Sequence, residues 1–305
     1  MNYKQGIRIR DLTDNEYFLG HKACGGCGGS LAIRLALKVL GPRVFTILPA
    51  GCMSAVGFIY PQLAFAVNAM ISTFPGTASM LSGVAAGAKA LGLEDYSIVG
   101  FAGDGGTADI GLQALSGAID RNDRIIYICY DNEAYMNTGI QKSGLTPFGA
   151  QTTTTPSGSA SIGPVTQKKN MFEIAAAHGI TYAATASVAF VADLLRKINK
   201  AKSINGTSYI HIFAPCPTGW GYDSSQTLDI CRKAVNSGLW YLAEFENGDF
   251  SLNYDPGEFI PVRNYLSVQK RFNHLTEDMI SSLQMNRDAK WREIRQKWKK
   301  PYDKR

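Results

Sequence analysis

An α/β fold, a parallel sheet with helices on both faces, is what the sequence predicts, on three observations. Apolar runs of strand length alternate with runs of helical spacing, as parallel strands joined by crossover helices require. One strand-like run leads directly into Gly103-Asp104-Gly105-Gly106, a glycine-rich turn at the carboxyl end of a strand. No internal repeat or low-complexity linker interrupts the alternation from Ser30 to Phe213. With 305 residues, 45% hydrophobic and 18% charged, the chain can bury one large core or two small ones.

The elements follow in order. A helix is expected from Ser30 to Leu40, stopped by Gly41-Pro42, then a strand at Val44 to Leu48. A small-residue helix from Ser79 to Leu91 precedes a strand at Ser97 to Phe101, a helix from Thr107 to Ile119 and a strand at Arg124 to Tyr130. A helix near Met171 to His178, a strand around Thr181 to Ala184, a helix from Val188 to Ala201 and a strand at Ser208 to Phe213 complete the pattern. The polar stretch Gly144 to Lys169 is too long for a structureless connection inside a compact domain, so it is expected to cover a site or an interface. From Thr276 to Trp298, apolar residues Met279, Ile280, Leu283, Trp291, Ile294 and Trp298 recur at broadly helical spacing, which predicts an amphipathic helix packed on its own domain or a partner.

Charge narrows the function classes. The net charge of +6 is concentrated between Asn286 and Arg305, where nine Lys and Arg face three Asp and Glu. That is a local basic face on a helix, so neither nucleic acid nor a membrane is expected as a partner. The start, Met1 to Gly6, carries no apolar h-region, and no window approaches the ~20 apolar residues of a spanning helix. The expected location is the cytoplasm, where six cysteines favour metal ligation or buried thiols over disulfides. Cys129 reads as a core strand residue and Cys231 as a core helix residue.

Cys24-Gly-Gly-Cys27 lets two thiolates reach one metal centre, because the glycines allow the tight turn of such a chelate. With Cys52 and with Cys216 in a Pro-Cys-Pro tract, the pattern suggests an iron–sulfur cluster, although zinc sites and redox dithiols share the spacing. At Gly103 to Gly106 the backbone can approach phosphate oxygens, and Asp104 can hold a divalent cation bridging two phosphates. The turn Asp131-Asn132-Glu133-Ala134, after the next strand, offers the Asn132 side-chain oxygen and a nearby carbonyl to complete an oxygen shell for magnesium.

With these residues in place, the chain resembles the beta subunits of thiamine diphosphate-dependent 2-oxoacid:ferredoxin oxidoreductases. The resembling stretches are Gly20 to Gly28, Gly103 to Gly111, Tyr130 to Gly139, Ala214 to Trp220 and Arg271 to Thr276, so the match spans nearly the whole chain. The resemblance implies the thiamine diphosphate-binding fold. Residues 1–245 would bind that cofactor and a [4Fe–4S] cluster, and 246–305 would form a C-terminal extension ending in the amphipathic helix. It implies that Cys24, Cys27, Cys52 and Cys216 ligate the cluster and that Asp104, Asn132 and the Ala134 carbonyl hold magnesium. Gly103, Gly105 and Gly106 would approach the diphosphate, Gly51 and Cys52 would touch both cofactors, and Asn137 and Thr138 would face the diphosphate or substrate, Asn137 in a catalytic role. His21, near the cluster cysteines, is as well explained by packing, and His178 and His211 lie in core-like segments and receive no role.

The implied activity is oxidative decarboxylation of a small 2-oxoacid, with electrons passed through the cluster to ferredoxin. The implied partners are an alpha-type subunit supplying the glutamate that activates the cofactor's aminopyrimidine, and a ferredoxin-like subunit carrying further clusters. Pyruvate-using members commonly carry an Ala-Thr-Gly-Cys turn, a Trp-Pro-Trp-like stretch and a Phe-Glu-Asn segment. Here the positions read Pro49 to Cys52, Phe65 to Ala69 and Phe74 to Thr77. These departures set oxalate, a small dianion oxidised without coenzyme A, against pyruvate, which needs it. Two other classes compete. A zinc-stapled nucleic-acid-binding protein leaves the Asp104 and Asn132 turns unexplained, and a non-redox thiamine diphosphate decarboxylase or carboligase gives the four cysteines no purpose.

Overall fold

The structure, a computed structural model, describes residues 7–93 and 95–298; Met1 to Gly6 and the basic residues Lys299, Lys300, Lys304 and Arg305 lie outside the described residues. In chain order its main elements are α1 (Gly28–Leu40), β1 (Val44–Pro49), α2 (Cys52–Gly57), β2 (Asn68–Ser72), α3 (Thr77–Ala90), β3 (Ser97–Gly103), α4 (Asp104–Ala108), α5 (Leu112–Asp120) and β4 (Ile126–Asp131). They continue with α6 (Met171–Ala177), β5 (Tyr182–Ser187), α7 (Val191–Ser203), β6 (Ser208–Phe213), α8 (Pro217–Trp220), α9 (Thr227–Asn236), β7 (Leu242–Glu246), β8 (Asp249–Tyr254), α10 (Arg263–Leu266) and α11 (Glu277–Lys297).

One sheet organises them, in the order β8-β7-β5-β6-β4-β3-β1-β2. The six strands from β5 to β2 are parallel, and β7 and β8 join antiparallel at one edge. Strand side chains alternate between two cores. Ile126, Ile128 and Tyr130 of β4 enter the core with α1, α7 and α9, while Tyr127 and Cys129 enter the core with α3, α5 and α6. Cys231 is buried in the first core. Helix α1 ends where Gly41 adopts a left-handed conformation (φ 79°) and its N–H reaches the Leu37 carbonyl.

Three differences from the sequence expectation have physical causes. The single helix expected over Thr107 to Ile119 is two, α4 and α5, because the chain doubles back so tightly that a Cβ on Gly111 would lie 2.1 Å from the Gly106 carbonyl oxygen. Edge strand β2 has neighbours on one side only, and its apolar run is just Ala69 to Ile71, set between Asn68 and Ser72. The β7–β8 hairpin turns on Asn247 and Gly248, both with left-handed φ, an Asn-Gly hairpin signal present in the sequence and passed over. This hairpin crosses residue 245, so the extension begins inside the main sheet. Helix α11 packs on its own chain, with Trp291 Nε1 donating to the Gly238 carbonyl at 2.7 Å. Among the described residues no helix is long and apolar enough to cross a membrane.

Candidate active site

Strands β1, β3, β4 and β6 are consecutive in the sheet. Their carboxyl ends carry, in turn, Cys52, Asp104, Asn132 and Cys216. A cleft at this edge is lined by Pro49 to Cys52, Phe74, Gly103 to Gly106, Tyr130, Asn132 and Ala134 to Thr138. Parallel topology thus brings together residues up to 164 positions apart in the chain, at the edge where open α/β sheets bind ligands.

The oxygens of the cleft are arranged in an unusual way. The Asn132 side-chain oxygen lies 2.9 Å from the Ala134 carbonyl oxygen and 2.9 Å from Asp104 Oδ1, whereas the same amide turned over would donate to both. Asp104 is 1% exposed, and its other oxygen accepts a hydrogen bond from Ser143 Oγ. Burial first, and then the nearby Asp131 carboxylate, hold the Asp104 carboxyl well above the ordinary carboxylate range. Three converging oxygens with one buried carboxyl match the donor set of a hard divalent cation. The glycines of the turn differ in what they permit. A Cβ on Gly105 would lie 2.2 Å from the Tyr135 ring, whereas one on Gly106 would meet Phe74 at 3.4 Å.

Flanking Asn132, two buried acids are fully paired. Asp131 accepts from Lys168 Nζ at 2.5 Å, from His211 Nε2 at 2.9 Å and from the Glu133 amide at 2.9 Å. Burial works to raise the Asp131 carboxyl, but Lys168 and His211 outweigh it and hold it down at about 2. Glu133 accepts from Lys168 at 2.8 Å and from Arg271 Nη2 at 2.5 Å, and Arg271 stacks 3.7 Å from the centroid of the Trp220 ring. Trp220 Nε1 in turn donates to the Asn132 carbonyl at 2.7 Å. Glu133 has φ 65°, a left-handed conformation rare outside glycine, and the two cations hold it there. Arg271 lies 138 residues beyond Glu133, so a late segment of the chain buttresses the cleft.

The four expected cysteines converge as well. Cys27 caps α1, its sulfur accepting from the Ser30 amide at 3.5 Å, and Cys216 caps α8, accepting from Gly219 at 3.3 Å. The Cys52 thiol is pushed up to about 12, by burial first and then by Cys216, Cys27, Asp104 and Cys24, so the other three sulfurs and the oxygen site all act on it. Burial likewise pushes Cys216 up to about 11. Among the described residues no three His, Cys, Asp or Glu side chains are placed to share a single ion. A four-iron cluster binds each thiolate at a different iron, so its ligands stand farther apart than those of one ion.

Asn137 and Thr138 stand exposed at the rim of the cleft, Thr138 held by Gln141. His21 stacks on Phe18 with ring centroids 4.6 Å apart, and His178 binds Ser116 at 2.7 Å, away from the cleft. His211, given no role from sequence, pairs with Asp131. Ser143, Lys168, Arg271, Tyr130 and Tyr135 were also passed over. The stretch Gly144 to Lys169 starts and ends on one residue, Asp109, which accepts from the Gly144 amide at 2.8 Å and from Lys169 Nζ at 2.7 Å. It therefore delivers Lys168 to the acids beneath the cleft.

Comparison with known proteins bears on the family and the fold. The thiamine pyrophosphate enzyme C-terminal TPP-binding domain matches residues 49–212. The pyruvate synthase subunit PorB of Methanothermobacter thermautotrophicus is 50% identical over 276 residues, covering 90% of this chain and 96% of that protein. The ketoisovalerate oxidoreductase subunit VorB of Pyrococcus horikoshii is 44% identical, covering 91% of each. Among solved structures, a 2-oxoglutarate:ferredoxin oxidoreductase from Magnetococcus marinus superposes with a TM-score of 0.57 at 21% identity, over 74% of this chain and 80% of that one, a likeness of fold.

Proposed function

The chain belongs to the beta-subunit family of thiamine diphosphate-dependent 2-oxoacid:ferredoxin oxidoreductases, and from that premise we propose how its residues serve the reaction. The observation that carries the reading is the convergence of Asp104 Oδ1, the Asn132 side-chain amide and the Ala134 carbonyl at the strand ends. A Mg2+ ion would be held among them with the Asn132 oxygen facing it. Residues Gly103 to Gly106 would let the backbone approach the diphosphate of the cofactor. Cys24, Cys27, Cys52 and Cys216 would hold a [4Fe–4S] cluster beside it, four soft thiolates suiting iron and sulfide. When bound, thiamine diphosphate supplies the carbanion stabilisation for decarboxylation and the cluster takes up electrons singly.

The protein's own part is positioning and electrostatics. Tyr135, anchored by its hydroxyl to Asp109 at 3.0 Å, and Phe74 wall the cleft against water. Asn137 and Thr138 at the rim would meet substrate or diphosphate, Asn137 as the catalytic contact. The cofactor chemistry falls to residues 1–245, with 246–305 as the extension that lends Arg271. The activating glutamate would come from an alpha-type partner and onward transfer from a ferredoxin-like subunit to ferredoxin, in keeping with relatives named as subunits. As substrate we favour pyruvate with coenzyme A over oxalate, because the relative 50% identical over 90% of the chain is named a pyruvate synthase subunit.

Anaerobic viologen reduction by the native multisubunit complex tests this. Reduction with pyruvate and coenzyme A is expected, in a brown preparation containing iron and acid-labile sulfide. Reduction by oxalate alone would overturn the substrate. Zinc in place of iron, or turnover of a 2-oxoacid that needs no electron acceptor, would overturn the cluster assignment.

A further inference from the structure

Three consecutive carbonyls of the turn that bears Asn132 are each met by a donor from a different segment. The Asp131 carbonyl accepts from the Ala214 amide at 2.9 Å, the Glu133 carbonyl from Thr146 Oγ1 at 2.8 Å, and the Asn132 carbonyl between them from Trp220 Nε1 at 2.7 Å. Among the described residues no backbone amide reaches the Asn132 carbonyl, so the indole alone fixes the plane of the peptide joining Asn132 to Glu133. That peptide leads into the left-handed φ of 65° at Glu133, a conformation that persists only while its surroundings hold it. The indole is itself held. Trp220 is 0% exposed, its amide closes α8 onto the Cys216 carbonyl at 2.9 Å, and Arg271 covers its ring. One residue earlier, a Cβ on Gly219 would lie 2.2 Å from Met136 Sδ, so α8 sits directly against the far end of the same turn.

We propose that Trp220 is a positioning residue for the metal site: by holding the Asn132 carbonyl inward, its indole N–H keeps the Asn132 side chain and the Ala134 carbonyl, on either side of the fixed peptide, at the separation that a divalent cation needs. The inference rests on the reading of Asp104, Asn132 and Ala134 as the residues that hold Mg2+. Trp220 touches neither metal nor diphosphate; it acts through the turn, as a hydrogen-bonded support of a metal ligand does. A second tryptophan offers a matched contrast. Trp291 is 2% exposed and donates from Nε1 to the Gly238 carbonyl, also at 2.7 Å, but that bond joins α11 to the loop before β7, neither of which lines the cleft.

The test is equilibrium dialysis of the native multisubunit complex, freed of metal, against labelled thiamine diphosphate over a series of Mg2+ concentrations. With Trp220→Phe in this chain, half-maximal retention of the diphosphate is expected to need ~10–100-fold more Mg2+ than in wild type, with full retention restored at saturating Mg2+. Trp291→Phe, which loses the same kind of bond, should follow the wild-type curve. An unshifted curve for Trp220→Phe would overturn the proposal and leave the metal reading standing. An equal shift for Trp291→Phe would overturn it too, as a sign of general loosening. A wild-type complex whose retention ignores Mg2+ would overturn both the proposal and the metal reading. Should Trp220→Phe fail to assemble, β-(3-benzothienyl)alanine at position 220 replaces the N–H by sulfur and keeps the shape of the ring. A curve shifted as above would support the proposal, and one lying on the wild-type curve would overturn it.

Discussion

Asp131, Asn132 and Glu133 are neighbours in one turn, yet they sit in opposite electrostatic situations. Asp131 and Glu133 point into the protein, where Lys168 and Arg271 neutralise them and His211 hydrogen-bonds Asp131. Asn132 points into the cleft, where its side-chain amide lies 2.9 Å from a carbonyl and from a carboxyl oxygen. Both sets of groups are buried, so burial does not separate them; what separates them is whether their charge and lone pairs are answered from within the chain. Answered groups hold the turn in shape. On the proposed function, those of the cleft are left for a bound metal.

The largest way to break this contrast is to unpair an answered group. Arg271→Met leaves Glu133 buried with half its compensation, and a loss of about 3–5 kcal/mol is expected, read as a fall in the melting temperature of the complex. An unchanged melting temperature would show that Lys168 alone suffices. Removing an unanswered group should have the opposite sign. Asp104→Asn relieves a buried carboxyl whose charge is disfavoured by Asp131, so stability should hold or rise. Thiamine diphosphate content and turnover should meanwhile fall on the order of 100-fold or more, since even indirect metal partners cost ~10–100-fold. A loss of stability matching the loss of activity would erase the distinction between the two groups.

Acid sharpens the contrast further. Asp131 is held at about 2 against an ordinary 3.8. Its stabilising contribution is therefore complete above about pH 4 and disappears as pH falls through about 2, an effect of roughly 2 kcal/mol. The stability difference between wild type and Asp131→Asn, followed by urea unfolding from pH 7 to pH 2, should be flat above pH 4 and shrink only below it. A difference that already changes between pH 7 and pH 5 would mean that the pairing with Lys168 is weaker than the geometry indicates. The smallest effect separates two adjacent glycines. Gly105→Ala drives a methyl into the Tyr135 ring and should cost about 1–3 kcal/mol. Gly106→Ala meets Phe74 at 3.4 Å and should stay within ~0.5 kcal/mol. Equal effects would mean that Tyr135 can move away.

The fold class and the acceptors of the site were legible because each rests on local pattern: strand-length apolar runs, Gly103 to Gly106, and an asparagine turn after the next strand. The cysteines were legible as a set only through their context, since Cys52 and Cys216 are joined by strand order rather than by spacing. What compensates the acids was not legible. Lys168 sits in a polar stretch without periodicity, and Arg271 is 138 residues from its partner Glu133. Trp220 ends a stretch that stood out for its cysteine, and only the fold sets its indole against the Asn132 carbonyl. Local chemistry announces what a turn presents, whereas the ion pairs that hold the turn depend on tertiary folding.

The reach of Arg271 back to Glu133 also imposes an order on biosynthesis. When the ribosome has completed the sheet through β8, the turn bearing Asn132 has two acids and only Lys168 and neutral His211 to meet them. The second permanent cation is still to emerge. A nascent chain or a truncation ending before residue 271 thus lacks part of the charge balance that shapes the turn, so at the proposed metal site loading would be a late event, coupled to the arrival of the final segment.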